Sequence, residues 1–157
     1  MNKDIGKKYA LGLLNTRFYT CAEICERLSK KGVSNEEAEK IVSELMENGF
    51  LDDKRYAEYY VHDAAEIAGK GAYRIRQELI KKGIAPKIAE EALSEAEDSF
   101  KETILSYTRM KFGENIEVSY KELIRIKNHL VRRGYSWGEI SDCLNELGIK
   151  ASRSERY

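Results

Sequence analysis

Residues Glu78–Ala96 read "ELIKKGIAPKIAEEALSEA". Ahead of Gly83, residues Ala72, Ile75 and Leu79 are spaced three and then four apart, which is one face of an α-helix; beyond it Ala89, Ala92, Leu93 and Ala96 resume the helical period. The stretch is therefore helix, stop, helix. Glycine tolerates the left-handed backbone that closes a helix, and the Lys81-Lys82 pair sits where the helix dipole is negative. Pro86 suits the first position of the second helix, where a backbone N–H has no partner to lose.

Two further stretches superpose on this one without a gap: "RLSKKGVSNEEAEKIVSEL" at Arg27–Leu45 and "HLVRRGYSWGEISDCLNEL" at His129–Leu147. Their glycines, Gly32 and Gly134, each lie 51 residues from Gly83, and each follows two basic residues. The apolar sets match as well, with Cys21, Ile24 and Leu28 before the first glycine and Leu123, Ile126 and Leu130 before the third. Ala38, Ile41, Val42 and Leu45, and then Ile140, Cys143, Leu144 and Leu147, follow. Ser34 with Glu37, and Ser136 with Glu139, have the spacing of a capping box. Upstream segments with helical apolar spacing run over Tyr9–Leu14, Tyr56–Ala65 and Ile104–Met110. The pattern predicts an all-α chain of three tandem three-helix repeats, residues 1–50, 51–100 and 101–157. Repeats of this size complete their cores by stacking on their neighbours, so an elongated, curved molecule is expected.

Composition agrees. Charged residues make up 34% of the 157, and proline occurs once, a balance that favours helices with solvated faces. Lysine plus arginine equals aspartate plus glutamate at 27 each, so any attraction to a polyanion must come from a local surface. There is no leader-like apolar segment and no apolar run near the roughly 20 residues that span a bilayer, so a cytoplasmic protein without membrane contact is expected. Cys21, Cys25 and Cys143 sit in helical patterns and read as small buried hydrophobes. No metal or cofactor is expected, since His62 and His129 are not at ligand spacing from the cysteines. Nor is there a nucleophile, base and orienting group in any recognised order, and an enzyme is not expected.

The stretch "GFLDDKRYAEYYV", Gly49–Val61, puts two acids before a helical run. Asp52 is placed as an N-cap, and Asp53 falls in the first turn, where negative charge is favoured. Capping accounts for both better than catalysis does, because catalytic carboxylate pairs normally come from separate segments.

The repeats differ in charge. Nine residues before the glycines stand Glu23, Arg74 and Arg125, and seven before stand Cys25, Arg76 and Lys127. The later repeats thus share basic positions that the first lacks. Arg74 with Lys81, and Arg125 with Arg132, are seven apart and nearly aligned on their helices. Two readings stand side by side: a functional basic surface, or solvated faces with pairs such as Arg74–Glu78 and Glu78–Lys82. The tyrosines, Tyr56, Tyr59, Tyr60 and Tyr73 among them, suit packing better than base stacking. Trp137 is expected to pack over a helix start.

The central sequence, "GFLDDKRYAEYYV" followed by "GKGAYRIRQELIKKGI", resembles the signature of the RecX family of bacterial regulators of the RecA recombinase. The carriers are Asp52-Asp53, Lys70-Gly71, Arg74-Ile75, Glu78-Leu79 and Lys82-Gly83. Leu14, Arg17, Thr20, Glu23, Leu28 and Gly32 are similar to the family's opening, while the third repeat matches mainly through the internal pattern. The resemblance implies a non-enzymatic, all-α protein that lies in the groove of the RecA–DNA filament and modulates, usually inhibits, strand exchange and ATP hydrolysis. The family has no catalytic motif to carry over. Comparing the repeats supplies the candidate binding residues: Lys70, Arg74, Arg76, Lys81 and Lys82 in the second, and Arg125, Lys127, Arg132 and Arg133 in the third. A monomer is expected, with the RecA filament as partner and single- or double-stranded DNA as a further candidate. The alternative is a helical-repeat protein that binds DNA directly, with affinity that falls steeply with salt.

Overall fold

The structure, a computed structural model, describes residues 3–153. In chain order it comprises α1 (Lys3–Leu14), α2 (Cys21–Lys30), α3 (Asn35–Glu47), α4 (Asp53–His62), a π-helical turn (Asp63–Ile67), α5 (Ala72–Lys81), α6 (Pro86–Glu95), α7 (Glu97–Phe112), β1 (Ile116–Val118), α8 (Tyr120–Arg132), α9 (Trp137–Leu147) and β2 (Ile149–Ala151). The protein is built of tandem three-helix repeats, and each glycine of the 51-residue period ends the second helix of its repeat. All three glycines have positive φ: Gly32 at 90°, Gly83 at 88° and Gly134 at 104°.

Helix starts follow the side-chain chemistry. Thr20 and Ser136 form reciprocal capping boxes with Glu23 and Glu139, whereas Ser34 makes the forward bond alone, accepting from Glu37 N–H at 3.3 Å. Ser119 caps α8 in the same way, accepting from Glu122 N–H at 3.0 Å. Asp52 caps α4, with its carboxylate accepting Arg55 N–H at 3.1 Å. Asp53 instead reaches back to α2 and accepts Cys21 N–H at 2.9 Å. The pair thus satisfies the N-termini of two helices, and burial followed by the charge of Asp53 pushes the Cys21 thiol up to about 12.

The chain divides into two compact units, Met1–Tyr59 with Leu79–Ala92, and Tyr60–Glu78 with Leu93–Tyr157. The first has a core of Ile24, Leu28, Ile41 and Leu45, with Ala10 and Leu51 buried among them. The second is built around Ile104, Ile126, Leu130, Ile140 and Leu147. Apart from Leu51, these lie at positions where the sequence has helical apolar spacing. A feature without a signal in that periodicity is the parallel pairing of β1 with β2, in which Ile116 faces Ile149. It ties the segment before α8 to the chain after α9.

Candidate basic interface

Of the candidate binding residues, Lys70, Arg74, Lys82 and Arg133 lie at two glycine joints of one design. In the second unit, Gly71 N–H donates to the Arg133 carbonyl at 2.8 Å and Tyr73 N–H donates to the Gly134 carbonyl at 3.1 Å. The turn after α8 therefore satisfies N–H groups at the start of α5 that have no partner within their own helix. The approach is too close for side chains: a Cβ on Gly134 would meet Arg74 Cβ at 2.5 Å, and one on Gly71 would meet the Gly134 carbonyl oxygen at 2.5 Å. In the first unit the Thr20 hydroxyl donates to the Lys82 carbonyl at 2.7 Å, and a Cβ on Gly83 would overlap the Ala22 methyl. Thr20 and Gly71 are 51 residues apart, as are Lys82 and Arg133. The glycine turn of each later repeat thus docks on the start of a helix in the repeat before it. Gly32 has open space where its side chain would be.

At the joint of the second unit the cations are already engaged. Glu78 accepts Tyr60 Oη at 2.7 Å, Lys70 Nζ at 3.0 and 3.1 Å, and Arg74 Nε at 3.3 Å. Burial alone would raise the Glu78 carboxyl, but the bonds from Tyr60 and Lys70 and the positive charge beside it outweigh burial and hold it below its ordinary value. The guanidinium of Arg133 lies 4.9 Å from the centre of the Tyr107 ring, and its Nε is buried without a hydrogen-bond partner. Tyr107 in turn lies near-parallel to His129, with its hydroxyl 2.7 Å from Nε2, and Phe112 meets the same imidazole edge-on. Lys70, Arg74 and Arg133 therefore bind and brace the joint, whatever else they touch.

Arg125 and Arg132 are placed differently. They are exposed, two turns and about 10 Å apart along α8, and both line a depression of about 410 Å³ together with Lys111, Glu122, Asn128 and His129. Arg125 makes a long pair with Glu122 at 3.7 Å. Burial, and then Lys111, Arg132 and Arg133, hold His129 below its ordinary pKa, so the imidazole is neutral at pH 7.

Arg76 and Lys127 are not gathered with these groups, since a step of two residues turns about 200° around a helix. Lys81 is exposed and Lys82 half-buried, and both belong to the first unit. Lys111 escaped the sequence comparison because it lies on the upstream helix, outside the superposed stretches. Trp137 departs from expectation: it is 61% exposed, as the first residue of α9 ahead of the buried stretch that begins at Ile140. Tyr73, adjoining Arg74, is 62% exposed. Among the described residues no helix is long and apolar enough to cross a membrane.

Tandem three-helix domains joined through glycine turns, with Arg125 and Arg132 exposed on α8, define a helical-repeat protein. Comparison with known proteins gives the family. The profile described as "RecX, first three-helix domain" matches residues 7–45, and "RecX, second three-helix domain" matches residues 52–93. A regulatory protein RecX of Legionella pneumophila is 31% identical over 138 residues, covering 88% of this chain and 91% of the relative. One from Clostridium acetobutylicum is 33% identical over 148 residues, covering 90% and 68%. The crystal structure of RecX from Lactobacillus salivarius superposes with a TM-score of 0.80 at 27% identity, covering 92% of this chain and 96% of that one. The chain belongs to the RecX family of regulatory proteins.

Proposed function

We propose that this protein regulates the RecA recombinase, in the direction of inhibition, by binding within the groove of the RecA–DNA filament and lowering strand exchange and ATP hydrolysis. Membership of the RecX family carries this reading. The exposed cations support it: Arg125 keeps 69% of its side chain open to solvent, and Arg132 and Lys81 are exposed too. In this reading the repeats 1–50, 51–100 and 101–157 act as linked modules of a cytoplasmic monomer. Several weak contacts then add as one multivalent event, because engaging one repeat raises the effective concentration of the next. The binding set comprises Lys70, Arg74, Arg76, Lys81, Lys82, Arg125, Lys127, Arg132 and Arg133, with Lys70, Arg74 and Arg133 also holding the joint. No residue is assigned a catalytic role. The test is recombinase ATP hydrolysis on single-stranded DNA with and without the protein. A concentration-dependent fall is expected, and an unchanged rate at several-fold excess over filament sites contradicts the proposal.

A further inference from the structure

We propose that the depression between the last turn of α7 and the exposed side of α8 is a phosphate site, formed by Lys111, Arg125 and Arg132, that takes a backbone phosphodiester of nucleic acid. The inference deepens the reading just given and rests on it for its biological setting, a RecA–DNA filament.

Three cations against one acid converge on a hollow of about 410 Å³. The acid, Glu122, does not close it: its pair with Arg125 is 3.7 Å long and both side chains are well exposed, the kind of pair that contributes little and exchanges readily. Arginine suits this ligand because its planar fork bonds two phosphate oxygens at once. Arg125 and Arg132 stand about 10 Å apart along one helix with Lys111 across from them, a span fitted to an extended polyanion more than to a lone carboxylate. Asn128 adds a neutral donor on the same rim. His129 forms part of the lining, and burial first, then Lys111, Arg132 and Arg133, hold it below its ordinary pKa. A bound phosphate reverses that influence, so the imidazole reports occupancy.

The experiment follows the two histidine rings of the full chain by NMR, titrating pH at fixed ionic strength with inorganic phosphate, with oligothymidylate, or with chloride alone. His62, exposed beside Asp63 and Glu66, is the internal control. Inorganic phosphate is expected to raise the His129 pKa by about 1 unit relative to chloride while leaving His62 unchanged. Oligothymidylate is expected to do the same at lower concentration. Lys111→Gln with Arg125→Gln, both exposed positions, is expected to weaken both responses at least tenfold while the rest of the spectrum keeps its dispersion. Equal shifts at both histidines, or none at His129, overturn the site. A response to phosphate but not to oligothymidylate overturns the nucleic-acid assignment. A wild-type chain that shows the His129 response yet leaves recombinase ATP hydrolysis unchanged keeps this site and removes the proposed function instead.

Discussion

At the scale of single residues, Glu78 joins three side chains at one joint. One carboxylate accepts from Tyr60, Lys70 and Arg74, so removing its charge leaves two partly buried cations facing each other. Glu78→Gln is expected to lower unfolding stability by about 2 kcal/mol, measured in urea, with little change in helix content. The pairing with Arg74 is legible in the sequence from the four-residue spacing. Lys70 is not, because it lies in the loop before α5, and its approach depends on how the chain turns between the π segment and that helix. His129 and Glu78 also give the protein a common pH response. Both are held below their ordinary pKa, so the unfolded chain binds protons more readily than the folded one, and stability is lost as pH falls. For His129 the loss begins as pH drops through its ordinary value of 6.5. Melting temperature is expected to fall between pH 7 and pH 5, and His129→Gln to flatten the upper part of that decline. A melting temperature that rises between pH 7 and pH 5 contradicts the His129 assignment, whereas the contribution of Glu78 is lost only as pH falls below its ordinary value of 4.5.

At the scale of elements, the repeated glycine has two duties that the sequence alone does not separate. Helix closure requires positive φ at Gly32, Gly83 and Gly134 alike, but close docking constrains only the last two. Gly32→Ala is expected to cost about 1 kcal/mol, from backbone strain alone. Gly134→Ala adds a collision with Arg74 and is expected to cost about 3 kcal/mol or more. Denaturant melts of the two variants decide it, and equal losses contradict the docking role. The helices themselves were open to reading because the apolar period and the glycine stops agree in three copies. The parallel pairing of Ile116–Val118 with Ile149–Ala151 was not, since three-residue strands leave no alternation to detect and their partners are 33 residues apart. Asp53 is intermediate: its type and place point to capping, yet only the fold shows that the helix it caps is α2. The candidate site was legible in part. Repeat comparison singled out Arg125 and Arg132, which line the proposed phosphate site, together with Arg76 and Lys127, which a step of two residues turns to another side of their helices; Lys111, which also lines it, lies outside the superposed stretches.

At the scale of the whole molecule, a chain with no net charge binds a polyanionic assembly only if its charges are sorted by place. The sorting here is by engagement. Lys70 and Arg74 share the Glu78 carboxylate, whereas Arg125 and Arg132 are exposed on α8, with Glu122 in a long pair with Arg125. Binding that uses these open cations should weaken as salt rises, through the release of counterions at each phosphate contact. The most direct measurement is inhibition of recombinase ATP hydrolysis on single-stranded DNA by the wild-type chain and by Arg125→Glu with Arg132→Glu. The wild type is expected to lower the rate, and the double variant, folded to the same helix content, to need at least about tenfold more protein for the same effect, as a loss of about 1.4 kcal/mol of binding dictates. Equal potency of the two proteins would contradict the account.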